Sequence, residues 1–339
     1  MKRDNSIDIA KGFGILLVVF AHICTNPYIN RLIYNFHMPL FFFISGITIY
    51  YSLNKNENFF VFAKKKFKSI MIPYFVFSIL SFWYWFIIER TIRNQLDISV
   101  LDNFINIFLM KIDMDLYTPN VVLWFLPCLF VVCILFYLMM KVKKGRSLLF
   151  LLCFILGYVL NINNLILPFT LETSLMMVTF VYLGYLFKCK DFKAINSIFV
   201  NILLIILFVV IFFLGNKVNI LCHEYGNILM FIIGSLSGIV LTLNLSLLFT
   251  KRKKLMGIFK YIGMNSLVIM CIHEPLKRIV LKVMTVILKV DMDLFRYNIF
   301  YSLLALFIII LISLPIVWVF DNYFYYLIGK KKREGDFKL

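Results

Sequence analysis

Long apolar runs, broken by short charged segments, recur along the whole of this 339-residue chain. They are too long and too many for one soluble core, and several approach the roughly 20 residues that cross a bilayer. The pattern predicts ten membrane-spanning helices, near 7–25, 32–52, 70–89, 121–140, 147–162, 171–187, 195–214, 226–249, 257–273 and 298–320. The runs at 147–162 and 171–187 are short for the purpose. The expected fold is therefore all-α, a polytopic integral membrane protein, with residues 1–329 as one membrane domain and 330–339 as a basic cytoplasmic tail. The first run carries Lys11 and has no small-residue cleavage site, which predicts a retained helix rather than a signal peptide. Residues 101–110 are amphipathic and are expected to lie along the membrane interface. No internal repeat or low-complexity tract is visible.

Composition agrees: 62% of the residues are apolar and the mean hydropathy is +0.92. The net charge of +18 would suit a nucleic-acid partner, but its distribution points elsewhere. Assigning alternate loops to one side places 23 Lys/Arg and five acidic residues there, against ten and ten on the other. Such a bias marks the cytoplasmic side and places both termini in the cytoplasm. The charge thus reads as topology, with no nucleic acid implied. The seven cysteines are scattered through apolar runs without metal-ligand spacing, so they are expected to be small packing residues.

Chemistry is sought among the ionisable groups inside the spans, where such groups are costly and mark function by default. Lys11 and His22 are eleven residues apart, which on a helix returns both to one face within about 20° and separates them by about 16 Å. His37 opens the second span at matched depth, so the two imidazoles are expected to share a cavity. Pro39 frees a backbone carbonyl near that helix start, tolerable where protein or water satisfies it. Phe41 to Phe43 read as lipid-facing or packing residues, and Ser45-Gly46 as a close helix contact. The cluster Lys64-Lys65-Lys66-Phe67-Lys68 reads either as a stop-transfer signal or as a cytoplasmic phosphate-binding patch. His273-Glu274, after Gly263-Met264-Asn265-Ser266-Leu267, reads as a proton relay or an interfacial cap at the outer end of span nine. Trp124 opens span four as an interface anchor, Glu172 opens span six as a solvated helix-start carboxylate, and His223-Glu224 reads as a solvated loop pair.

Together these segments resemble the acyltransferase-3 family of bacterial integral-membrane O-acyltransferases. The resemblance rests on Ser6-Ile-Asp-Ile-Ala-Lys-Gly12, Val18-Val-Phe-Ala-His22 and Phe36-His-Met-Pro-Leu-Phe-Phe-Phe-Ile-Ser-Gly46. It continues through Lys65-x-x-Lys68 before Pro73-Tyr74, Leu123-Trp-Phe-Leu126, and Gly263-x-Asn-Ser-Leu267 through His273. The family places a basic residue and an essential histidine with ten residues between, which maps onto Lys11 and His22. Its second basic motif maps onto Lys65 and Lys68, where lysine replaces the usual arginine and so offers a point charge rather than a bidentate fork. Many relatives carry an extra helix and a fused extracytoplasmic domain; this chain shows neither.

The resemblance implies transfer of an acyl group, acetyl from acetyl-CoA, to a hydroxyl of a cell-surface or capsular polysaccharide or its lipid-linked precursor, in the bacterial inner membrane. In that reading His22 is the general base and His37 orients the acceptor or polarises the thioester. Lys11, Lys65 and Lys68 hold the CoA phosphates or pantetheine. Asp8, Trp124, Glu172, Ser266, His273 and Glu274 support the site, and no metal is required. The implied partners are a carbohydrate acceptor, the bilayer and separate glycan-assembly proteins. Two alternatives stay open: a non-enzymatic glycan transporter or flippase, and the same enzyme class with a succinyl donor.

Overall fold

The computed structural model describes residues 4–53, 57–110, 119–190 and 197–330. Among these the regular structure is helical, with one isolated antiparallel bridge between Asn219 and Glu224. The helices are α1 (Asn5–Ile23), α2 (Pro27–Tyr34), α3 (His37–Leu53), α4 (Phe59–Ile92), α5 (Val100–Leu109), α6 (Val121–Met139) and α7 (Arg146–Ile162). They continue as α8 (Leu171–Cys189), α9 (Ile198–Phe213), α10 (Ile228–Phe249), α11 (Lys253–Met264), α12 (Ser266–Leu288), α13 (Met292–Tyr297) and α14 (Ile299–Asn322). Seven helical segments are long and apolar enough to cross a membrane, or eight if the bent pair α11–α12 is one span. The chain is thus a multi-pass membrane protein. The runs at α7 and α9 form helices of 17 and 16 residues, short of a full crossing at 1.5 Å per residue.

One expected span is corrected. The run at 257–273 does not end at His273: α11 and α12 meet at Asn265 with a 75° bend, and α12 continues for 23 residues to Leu288. Lys277, Arg278 and Lys282 therefore stand on a helix rather than in an outer loop. Their charge hid the helix from a hydropathy reading. The expected basic tail lies, from residue 331 onward, outside the described residues.

Two prolines shape the bundle, and both are answered by side chains from distant parts of the chain. A proline deprives the carbonyl four residues earlier of its helical donor. Pro39 frees the carbonyl of Asn35, which accepts the Ser235 hydroxyl of α10 at 2.7 Å. Pro275 frees the carbonyl of Cys271, which accepts the Asn120 amide, just before α6, at 2.9 Å. Spare backbone polarity inside a membrane must be met by protein in this way.

Helices approach closely where glycine leaves room. Gly46 of α3 faces the Val181 carbonyl and Gly184 of α8 faces the Phe43 carbonyl, an antiparallel register in which a Cβ would collide with backbone at either glycine. Along α1, Asp8 faces Gly263 and Gly12 faces Phe259, again antiparallel. Small residues at such crossings let membrane helices gain van der Waals contact that lipid does not supply. Phe42 and Phe43 are buried, so this triplet packs rather than facing lipid. All seven cysteines are unpaired, and Cys24, Cys128, Cys133 and Cys271 are buried.

Candidate active site

α1 starts on the Asp4 cap, whose carboxylate accepts from the Ser6 amide at 3.0 Å, and carries His22 in its last turn. The last carbonyls of a helix lack internal donors. Here Arg296 of α13 supplies them, donating from Nε to Ile23 at 3.0 Å and from Nη2 to His22 at 3.3 Å. The end of α1 is thereby fixed where α12 passes it. The His22 and His273 rings lie 5.3 Å apart between centroids, inclined at 50°. A ring nitrogen of each and a carboxylate oxygen of Glu274 all fall within 4.8 Å of one another.

The tautomer of His273 follows from its partner. Its Nδ1 lies 2.7 Å from the Met270 carbonyl, which can only accept, so Nδ1 carries the proton. In the neutral ring Nε2 then presents a lone pair, and this atom is buried with no hydrogen-bond partner. Glu274 is buried beside it and is held by cations on both oxygens: Lys277 Nζ at 2.8 Å on Oε2 and Arg278 Nε at 3.3 Å on Oε1. Arg278 reaches on to Glu89 of α4. The two histidines and Glu274 have the reach to ligate a metal, but a divalent ion there would stand beside the Lys277 and Arg278 cations that Glu274 already holds. The donor set suits proton transfer better than metal binding.

His22 lines a small cavity with Met38, Phe41, Trp124, Phe125 and Met270. Trp124 is shared with a second, more polar hollow lined by Ser78, Ser81, Asn103, Asn106 and Asn120. There the side-chain oxygens of all three asparagines are buried without a donor. Asn120 spends its amide on Ser81 and on Cys271, which ties this hollow to the helix carrying His273.

The other residues singled out by sequence are placed as follows. His37 is buried at the start of α3, its Nδ1 2.8 Å from the Ile33 carbonyl and its ring edge-on to Tyr34 at 5.1 Å. It lies within electrostatic range of His22, but the ring that meets His22 is that of His273, not His37. Asp8 is buried where α1 crosses α11, and Lys11 is half-buried one turn further on. Ser266 is the first residue of α12, beside the Asn265 bend, whose amide donates to Tyr261 at 3.0 Å and whose oxygen accepts from Lys330 at 2.6 Å. Lys65 is exposed and paired with Glu57, and Lys68 is exposed on a widened π turn, Phe67–Met71. None of Lys11, Lys65 and Lys68 joins the His22 cluster. Glu172 is not solvated: it is buried, accepts from the Leu167 amide at 3.1 Å, and faces His223 at 3.7 Å. His223 is correspondingly withdrawn from solvent by this pairing.

The model of the acyltransferase domain family Acyl_transf_3 matches residues 4–322. The chain belongs to the acyltransferase-3 family. Comparison with curated proteins and with solved structures gave no match. In this membrane acyltransferase the match spans both sides of the cluster, from the α1 cap to the end of α14. Glu89, Lys277, Arg278 and Arg296 are site residues that the sequence pattern does not single out. The signal available was the spacing Glu274, Lys277, Arg278, which on one helix makes i,i+3 and i,i+4 pairs. It was unread because the helix was ended at His273. Arg296 offers no such signal, since its partners come from a distant part of the chain, and Glu89 offers only its i,i+4 pairing with Arg93.

Proposed function

We propose that the acyltransferase moves an acyl group, acetyl from acetyl-CoA, onto a hydroxyl of a surface polysaccharide or its lipid-linked precursor, with His22 as general base. The observation that carries this reading is the meeting of His22 with His273 and Glu274 at the end of α1. A hydroxyl is a poor nucleophile at neutral pH, and histidine is the side chain whose proton affinity suits its activation. The hydroxyl oxygen attacks the thioester carbonyl while His22 takes its proton. The carbon–sulfur bond then breaks, and the departing CoA thiolate recovers that proton from the imidazolium. Glu274 lies close enough to stabilise the transient positive charge on His22, and the free lone pair of His273 is placed to hold a hydroxyl.

The donor end is assigned to the lysines. Lys65 and Lys68 are exposed, and the charge asymmetry of the loops puts them with Lys11 on the cytoplasmic side, where acyl-CoA is found. His22 stands at the opposite end of α1, so the acyl arm has to reach inward along that helix. This topology also puts both termini in the cytoplasm and suits a bacterial inner membrane.

The test is ester analysis of surface glycan from cells carrying the wild type, His22→Ala, or no gene. Loss of ester with polymer retained supports the enzyme, and the mass of the lost group tells acetyl from succinyl. Loss of surface polymer with no ester change would make the protein a glycan transporter instead. An active His22→Ala protein would overturn the base assignment.

A further inference from the structure

Behind Glu274 the bundle opens into a cleft of about 630 Å³, within the size range of small-molecule sites. Its polar wall carries five cations, Arg93, Lys277, Arg278, Lys282 and Arg296, and two carboxylates, Glu89 and Glu274. The lining is therefore net cationic by three charges. Both carboxylates are already engaged by the cations beside them. The outer wall is the opposite in character: Ile88, Ile92, Ile279 and Val283 are exposed on α4 and α12. On spanning helices such side chains face hydrocarbon. An excess of cations beside a lipid-facing wall is costly unless an anion answers it.

The cleft adjoins the histidine cluster through Glu274. Glu274 belongs to both, and Arg296 lines the cleft while its guanidinium holds the His22 and Ile23 carbonyls. An occupant whose anionic group rests on the cleft's cations therefore lies beside two residues of the site, Glu274 and the Arg296 that holds the end of α1.

We propose that this cleft seats the phosphate of a long-chain lipid phosphate that carries the acceptor sugar. The hydrocarbon chain passes out between α4 and α12 over Ile88, Ile92, Ile279 and Val283, and the sugar hydroxyl reaches His22. Charge complementarity and the lateral apolar opening together select this occupant. A free polysaccharide has no use for the apolar wall, and a neutral lipid has none for the cations. The inference rests on the acyltransferase reading above and narrows its acceptor to one presented from within the bilayer.

Binding tests it apart from catalysis. The full-length protein is placed in phosphatidylcholine nanodiscs and titrated with decaprenyl phosphate, with decaprenol as the uncharged control and inorganic phosphate as the unlipidated one. Decaprenyl phosphate is expected to bind, decaprenol and inorganic phosphate each at least tenfold more weakly, since one charge-assisted hydrogen bond is worth about tenfold. Arg93→Gln/Lys282→Gln should weaken decaprenyl phosphate about tenfold or more and leave decaprenol unchanged, while the charge-conserving Arg93→Lys/Lys282→Arg keeps binding. Both side chains are exposed, and an unchanged melting temperature verifies that the variant is folded. Equal binding of the phosphate and the alcohol, or equal binding to wild type and the glutamine double variant, would overturn the proposal. Acyl transfer is scored separately with acetyl-CoA and a sugar-loaded polyprenyl phosphate. Phosphate-dependent binding without any transfer leaves the cleft assignment standing and removes the acyltransferase reading of the site.

Discussion

His22 and His273 face one another with ring centroids 5.3 Å apart, although they stand at opposite ends of the chain. The contact requires that α1 end where it does, under Arg296, and that α12 bend away from α11 at Asn265. Two imidazoles and a carboxylate so placed are expected to act as one unit, and units of this kind are strongly non-additive.

His273→Ala is therefore expected to lower acyl transfer by about 10²- to 10⁴-fold, the range of general acid–base catalysis. His22→Ala should fall at least as far, and the double variant no further than the worse single one. Rates measured on purified protein in nanodiscs check this. Independent, multiplying losses would mean that the rings do not work together.

Asn120 offers a second expectation. Its amide satisfies the Cys271 carbonyl that Pro275 leaves free, two residues before His273. Asn120→Leu strands that carbonyl and should cost about 1–3 kcal/mol of stability. It should also slow transfer, because the bend that aims His273 loses its tie. Ser235→Ala, which strands the equivalent carbonyl of Asn35 beside His37, is expected to cost as much stability with a smaller effect on rate. Thermal unfolding and turnover on the same samples separate the two.

The all-helical, membrane-spanning class was legible because the apolar runs are long, and the charge bias of the loops follows from the same pattern. His22 stands out as an ionisable group inside an apolar run, and the structure brings it to His273 and Glu274; Lys11, on the same helix, lies outside that cluster. The half of the site on α12 was not legible. His273 and Glu274 were visible as a pair, yet α12 carries Lys277, Arg278 and Lys282, and a hydropathy reading stops at such residues. Glu274 on the same helix answers Lys277 and Arg278, but the second carboxylate on Arg278, Glu89, comes from α4, which sequence spacing cannot supply. Glu172 failed for the same reason: a carboxylate at a helix start is ordinarily solvated, and only the fold brings His223 to it.

The crossing of α3 and α8 should be intolerant of side chains. A Cβ on Gly184 runs into the Phe43 carbonyl, and one on Gly46 into that of Val181. Backbone cannot yield as a flexible side chain does. Gly184→Val is expected to cost about 1–3 kcal/mol or more through overpacking, seen as reduced membrane yield and a lower melting temperature. Gly257→Ala, with open space around the position, serves as the neutral control.

The ion-pair chain Glu89–Arg278–Glu274–Lys277 ties α4 to α12 and supplies the last prediction. Glu89 and Glu274 are buried, so removing the cation between them leaves two carboxylates with fewer partners. Arg278→Ala should therefore be destabilising by about 3 kcal/mol, as for a buried pair broken on one side. Glu89 keeps Arg93 at 3.9 Å, and Glu274 keeps Lys277, so the loss stays below that of an isolated buried charge. Neutralising both ends of the cross-helix pair, in Glu89→Gln/Arg278→Gln, should cost less than the two single changes added together, because the second substitution no longer strands a charge. Denaturation midpoints for the four proteins of this cycle give the coupling directly. A coupling near zero would mean that α4 and α12 are held by packing alone.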